Sequence, residues 1–389
     1  MARFAARVEH LREEGAYAVL ARANELEAQG RPIIHLEIGQ PDFPTFANIS
    51  LAGVRAITEG HTRYTPSAGV PALRRAIATC VAARLGVEVD WRQVVVGPGA
   101  KPFLTLPLLA LVEPGDEVLY PDPGFPTYEA AIRMAGGVPR PVPLLEANDF
   151  SFDLDAFDNL IGDRTRLIIL NSPANPTGGV IPRADLEHIA DAAQRHDAWV
   201  LTDEIYSRLV YGLDRAPSIA TLPGMMARTI IVDGFSKTYA MTGWRLGYGV
   251  MPVDLAERVG LVLNHTVGCT AGFTQYAGIE ALTGRQDQAE AMRAEFQRRR
   301  DVMVEGLNAI PGVACRTPQG AFYAFPNVTA FGQSSSELAR YLLEQAHVAV
   351  LPGTAFGQYG EGYLRLVFAN SVENIREALA RIRDALARL

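Results

Sequence analysis

The chain has 389 residues, is 48% apolar and 20% charged, and carries a formal net charge of −7. That length allows one large domain with a smaller companion, and the acidic balance, with no long basic run, argues against a nucleic-acid binder held by phosphate contacts. Three widely spaced cysteines, Cys80, Cys269 and Cys315, suit a reducing cytoplasm and make neither a disulfide framework nor a zinc site.

The N-terminal stretch MARFAARVEHLREEGAY is charged throughout and lacks the apolar stretch of a secretory signal. Short β-branched runs predict strands at Gln93–Gly97, Glu117–Asp122, Arg166–Asn171, Ala198–Glu204 and Arg228–Ser236. After the first strand comes FLTLPLLALV, the longest apolar stretch, which is too short to span a bilayer and holds a proline. Between the third and fourth, PRADLEHIADAAQRH has Leu186, Ile189, Ala190 and Ala193 at helical spacing. Continuous apolar strands separated by helices predict an α/β fold, with a mostly parallel central sheet and helices on both faces. The helical stretch Gln288–Leu307 marks a packed domain boundary, since no Ser/Gly-rich linker is present. The last segment puts Val372, Ile375, Leu379, Ile382 and Leu386 on one face, an amphipathic helix packing on a separate, smaller layer.

Ligands of an open parallel sheet bind outside the carboxyl ends of its strands. Those ends read GPGAKP, PDPGFPTY, NSPANPTGG, TDEIY and DGFSK. They gather Lys101, Phe125, Tyr128, Asn175, Asp203, Tyr206, Ser236 and Lys237, with Arg245 slightly beyond. A glycine-rich turn into a helix, an aromatic face, a carboxylate, a phenol and a lysine suit a phosphorylated, protonated aromatic ring that is also bonded covalently. Of the 36 basic side chains only Lys101 and Lys237 are lysines. A guanidinium stays protonated, whereas a desolvated lysine amine can lose its proton and attack a carbonyl. A lysine kept at position 237 in so arginine-rich a chain points to chemistry that needs a removable proton.

SKTYAMTGWRLG, NSPANPTG, DEIY and GYLRLVFA together resemble the motifs of the class I aminotransferases. These are pyridoxal-phosphate enzymes of fold type I, similar to aspartate aminotransferase. The resemblance runs in order from LEIGQPDF to the last helix. It implies a large cofactor-binding domain over 49–287, and a smaller α+β domain built from 1–48 and 288–389. It further implies pyridoxal 5′-phosphate as cofactor and transfer of an amino group from an L-amino acid to a 2-oxo acid in a ping-pong cycle.

Residue by residue, Lys237 would form the Schiff base with the cofactor aldehyde and, once freed, act as general base at the substrate Cα. Asp203 would keep the ring nitrogen protonated; its neighbour Glu204 points to the other side by strand alternation. Tyr206 would hydrogen-bond the cofactor's 3-oxygen, which Asn175 shares while also reaching the substrate carboxylate. Gly99, Ala100 and Lys101 would cradle the phosphate mainly through the backbone at a helix start, with Ser236 and Arg245 as side-chain ligands. Phe125 would cover the ring face. Arg365 would clamp the substrate α-carboxylate, with Gly39 approaching it closely. Tyr64 would cross from a neighbouring chain to the cofactor phosphate, making a homodimer the functional unit.

Two departures bear on substrate. The helix FLTLPLLALV has no basic residue to hold a second carboxylate, and EEGAYAVL offers Tyr17 and small apolar residues in place of a hydroxyl pair. An apolar or aromatic donor, or broad specificity, is therefore expected over an aspartate-specific pocket. A β-lyase or decarboxylase using the same cofactor is the nearest alternative. A nicotinamide enzyme is disfavoured because GPGA lacks the G-x-G-x-x-G spacing. The histidines show no metal signature; His188 and His196 read as structural or solvated.

Overall fold

A computed structural model describes residues 5–9, 11 and 14–389. Within the N-terminal segment assigned to the smaller domain, residues 1–4, 10, 12 and 13 lie outside the described residues. The strands are β1 (Ile34–His35), β2 (Val94–Gly97), β3 (Glu117–Asp122), β4 (Val138–Leu145), β5 (Ser151–Phe152), β6 (Thr165–Asn171), β7 (Trp199–Asp203), β8 (Thr229–Gly234), β9 (Gly247–Val250), β10 (Tyr323–Ala324), β11 (Val348–Ala349), β12 (Leu351–Pro352) and β13 (Leu364–Val367). The five strands expected from sequence are β2, β3, β6, β7 and β8.

One sheet runs β2-β9-β8-β7-β6-β3-β4-β5, parallel through its centre from β8 to β4. Its apolar runs are unbroken because alternate side chains enter different cores. Val118, Tyr120, Leu167, Ile169, Leu201 and Ile230 pack on one face beneath helices Pro102–Leu111, Thr127–Met134 and Val253–Thr266. Leu119, Ile168, Leu170 and Val200 pack on the other beneath Leu154–Leu160 and Arg183–Arg195. Burial of each large apolar side chain stabilises the sheet by about 1.5–3 kcal/mol.

Two reversals serve the site. β2 pairs antiparallel with β9, and β9 antiparallel with β8, so β2 regains the direction of the parallel strands. Its carboxyl end therefore falls on the edge where β6, β7 and β8 end. There Gly97, Gly247 and Gly234 stand side by side in register. A Cβ on Gly247 would overlap the backbone of Gly99 and Ala100, so glycine lets the turn after β2 lie against the chain entering β9.

The remaining strands form a three-stranded antiparallel sheet, β10-β13-β12, and the parallel pair β1-β11. The C-terminal helix Val372–Leu386 buries Val372, Ile375, Leu379, Ile382 and Leu386, the stripe expected from its spacing. Ser371 caps it by accepting the Asn374 N–H at 3.1 Å. This helix, the long helix Asp287–Asn308, β10 and β13 share one apolar core, which brings β13 and its Arg365 to the edge of the large sheet.

Candidate active site

The strand ends of the large sheet and one residue of β13 meet in a cavity of about 560 Å³. Lys237 lies three residues beyond β8, part-buried, with Nζ donating to the Gly39 carbonyl at 2.5 Å. Burial, and then the Arg365 and Arg245 cations, push its pKa down to about 8. An ammonium so placed can give up its proton near neutrality, as a nucleophilic amine must.

Asp203 ends β7 and is buried. Its Oδ2 accepts from the Tyr128 hydroxyl at 2.9 Å and its Oδ1 from the Ile205 N–H at 3.2 Å. Burial pushes its pKa up to about 6, with those two hydrogen bonds acting in the opposite sense. Glu204 does point away, accepting from Arg84 Nη1 at 2.7 Å and Ser218 Oγ at 2.5 Å.

Arg365, buried in β13, donates from Nη1 to Asn175 Oδ1 at 3.2 Å and from Nη2 to the Glu37 carbonyl. Its Nε is buried and has no hydrogen-bond partner among the described residues. The Tyr323 and Phe356 rings lie 4.6 and 4.9 Å from the guanidinium. Asn171, at the end of β6, holds Asn175 by accepting its N–H at 2.8 Å. The Tyr206 hydroxyl is 2.6 Å from that of Tyr323.

At the other end of the cavity, Gly99 has φ +89°, and a Cβ there would run into the Arg245 guanidinium. Arg245 is itself left-handed (φ 52°) and donates from Nη1 to the Thr242 carbonyl at 2.9 Å. Ser236 and Ala100 line this end, where the turn after β2 leads into Pro102–Leu111. Phe125 lines the cavity edge-to-face with Tyr128 at 5.9 Å.

Lys101, Tyr17 and Gly39 also reach the cavity. The Lys101 ammonium is paired with Glu14 and stands 5.2 Å from the Phe125 ring centre. A Cβ on Gly39 would overlap the Tyr323 hydroxyl. Gly99 does not face the cavity but backs Arg245. Tyr64 is outside it and 99% exposed. Sequence reasoning missed Glu14, Asn171 and Tyr323. Asn171 could have been found as the polar end of an apolar strand; Tyr323, within AFYAF, reads as core. No group of metal-ligating side chains occurs among the described residues, and His188 is bonded to Asp158 at 2.7 Å on the surface.

The chemistry of this donor set is unbalanced. Lys237, Arg245 and Arg365 meet oxygens of carbonyls and amides, while Asp203 is held by neutral donors. Such a cavity fits a ligand carrying two anionic groups and one protonated nitrogen.

A family model described as aminotransferase class I and II matches residues 31–382. The probable aspartate/prephenate aminotransferase of Aquifex aeolicus is 40% identical over 388 residues, covering 98% of each chain. The solved aromatic aminotransferase from Pyrococcus horikoshii is 40% identical, with a TM-score of 0.90 over 95% of this chain and 99% of that one. The aspartate aminotransferase from Thermus thermophilus, solved with maleate, is 36% identical, with a TM-score of 0.94 over 99% of this chain and 100% of that one. This chain belongs to the class I and II aminotransferases, with their α/β fold, and is a transaminase.

Proposed function

We propose that the cavity holds pyridoxal 5′-phosphate and that the enzyme moves the amino group of an apolar or aromatic L-amino acid, or a broad set of donors, to a 2-oxo acid. One observation carries the reading: the Lys237 amine is desolvated, hydrogen-bonded among the described residues to the Gly39 carbonyl, and shares its cavity with a buried carboxylate, Asp203. When bound, the cofactor supplies an aldehyde that joins amines and a ring that takes up the electron pair released at the substrate Cα.

The chain's own residues do the rest. Asp203 holds a proton on the ring nitrogen. Tyr206 and Asn175 donate to the 3-oxygen. Ser236, Arg245 and the backbone of Ala100 and Lys101 would bind the phosphate, with Gly99 backing Arg245, and Phe125 would cover the ring. Arg365 grips the substrate α-carboxylate with Asn175 and Gly39 beside it, and its unpartnered Nε supports that role. Lys237, once its amine is free, would remove the proton at the substrate Cα. Lyase and decarboxylase readings are set aside because the relatives are aminotransferases.

The donor preference rests on the cavity mouth. Relatives bear both aspartate and aromatic names. Here Lys101, the lining cation whose side chain has no role above, is already paired with Glu14, and Tyr17 adds an aromatic wall. Neutral donors fit that mouth better.

We also propose a homodimer in which Tyr64 reaches the partner's phosphate. Its almost complete exposure supports this, as does the exposed apolar stripe Leu51, Val54 and Ile57 on the helix Ala47–Thr58. We further propose two domains, 49–287 and 1–48 with 288–389; the strands of the large sheet all lie within the first range, and those of the small sheets within the second. Free cysteines support a cytoplasmic setting, and no helix among the described residues is long and apolar enough to cross a membrane.

The test is direct. The purified protein is expected to be yellow, and borohydride to fix the colour to a peptide containing Lys237. Lys237→Ala should lower turnover by roughly 10⁴-fold or more. Phenylalanine or leucine should surpass aspartate as donor to 2-oxoglutarate. A variant that keeps turnover, or a clear preference for aspartate, would respectively overturn the chemistry and the donor class.

A further inference from the structure

Tyr323 enters none of the roles above, yet it is built into the site from a different sheet. Tyr206 follows β7, whereas Tyr323 opens β10. Both are buried, with rings edge-to-face at 5.6 Å and hydroxyls 2.6 Å apart. The Tyr323 ring is fixed beside the Arg365 guanidinium and the Phe322 ring, and its hydroxyl is pressed so closely on Gly39 that no side chain would fit there. Packing alone would be served as well by phenylalanine. The hydroxyl needs another reason, and its partner among the described residues is the Tyr206 oxygen.

We infer that Tyr323 is a positioning residue: its hydroxyl donates to the Tyr206 oxygen, orients that phenol and strengthens it as a donor to the cofactor's 3-oxygen. This rests on the reading that Tyr206 binds that oxygen. Only one proton can lie between the two phenol oxygens. If Tyr206 spends its own proton on the cofactor, its oxygen must accept, and Tyr323 must donate. Hydrogen bonds in such a chain polarise one another, so the second phenol makes the first a better donor. The charged and titratable groups facing this pair are Arg365 from β13, Lys237 from the loop after β8, Asp203 from β7 and Tyr128, whose hydroxyl is bound to Asp203. Arg365 favours negative charge on either phenol, and Asp203 disfavours it.

The experiment follows the visible absorbance of the cofactor-loaded protein against pH. A hydrogen bond to the 3-oxygen favours the form in which the Lys237 linkage has lost its proton, so weakening that bond raises the titration midpoint. Tyr206→Phe should raise it by about one pH unit, the worth of one hydrogen bond. Tyr323→Phe, which removes only an oxygen atom, should raise it by roughly a few tenths of a unit. In the Tyr206→Phe background, Tyr323→Phe should add nothing. An unchanged midpoint in Tyr323→Phe overturns the inference and leaves the cofactor reading intact, as does an equal shift in the Tyr206→Phe background. A wild-type protein with no visible chromophore to titrate overturns both.

Discussion

Two cavities of similar size adjoin the chain segment that carries Lys237: the active site, at about 560 Å³, and another of about 590 Å³ lined by Arg84, Arg208, Asp233, Thr238 and Tyr239 among others. Volume does not tell them apart; charge balance does. In the second cavity Arg84 lies 2.7 Å from Glu204 and 3.8 Å from Asp233, and Arg208 and Arg293 lie 3.1 and 3.0 Å from Glu290. In the active site Lys237, Arg245 and Arg365 form no ion pair among the described residues, and Asp203 leans on a phenol and an N–H. The Lys101–Glu14 pair sits at the mouth and is the exception. A folded chain leaves buried charge unmatched at a cost, and it persists where a ligand completes it.

The comparison yields opposite expectations for removing a cation on each side. Arg365→Leu should cut kcat/KM for amino donors by about 10²–10³-fold, the loss of a two-pronged charge-assisted hydrogen bond, while the fold survives. Steady-state kinetics with a fixed acceptor would measure it. A near wild-type value would mean that the substrate carboxylate is held elsewhere, and the distinction between the cavities would fail.

Arg84→Met should do the reverse. It strands Glu204, whose side chain is only 3% exposed, without its cation. Breaking such a buried pair costs about 3 kcal/mol in unfolding free energy. Denaturant melts at matched protein concentration would read the loss, since assembly contributes to apparent stability. Turnover of the folded fraction should stay close to wild type. A large fall in turnover with unchanged stability would show that the second cavity, too, serves the chemistry.

The same contrast explains what sequence could show. The strands β3, β6, β7 and β8 were legible because both faces are buried and the runs are uninterrupted. β4 was not: prolines at 139, 141 and 143 argue against a strand, yet its pairing with β3 uses every second N–H and tolerates them at the alternate positions. β9, with glycine at 247 and 249, lacks side chains that would announce it. Lys237 stood out as one of two lysines and Asp203 as a carboxylate at a strand end, whereas the roles of Asn175 and Arg365 were picked out by the family resemblance; the structure brings all four to one cavity. Glu14 and Tyr323 were not, because their partners, Lys101 and Tyr206, are 87 and 117 residues away and nothing local marks the meeting. Lys101 shows the limit within one residue. Its backbone position follows from the glycine turn, but the direction of its ammonium depends on a glutamate from the N-terminal segment.

The smallest effect probes the imbalance itself. Burial holds the Lys237 amine's pKa down to about 8, against an ordinary lysine value of 10.5. Between those pH values the unfolded chain binds the proton and the folded chain does not, so stability rises with pH across that window; below about 8 folding bears the full cost of the desolvated ammonium. Because the side chain is only part-buried, solvent screening reduces that cost to about 1–2 kcal/mol. Methionine fills similar space without charge. Cofactor-free Lys237→Met should therefore be more stable than wild type by about 1–2 kcal/mol at neutral pH, with the gap closing as pH rises toward 10.5. Urea melts at neutral pH and near pH 10 would measure both. A variant no more stable at neutral pH would mean that the ammonium is compensated within the empty chain, and the active-site cavity would then be as well matched as its neighbour.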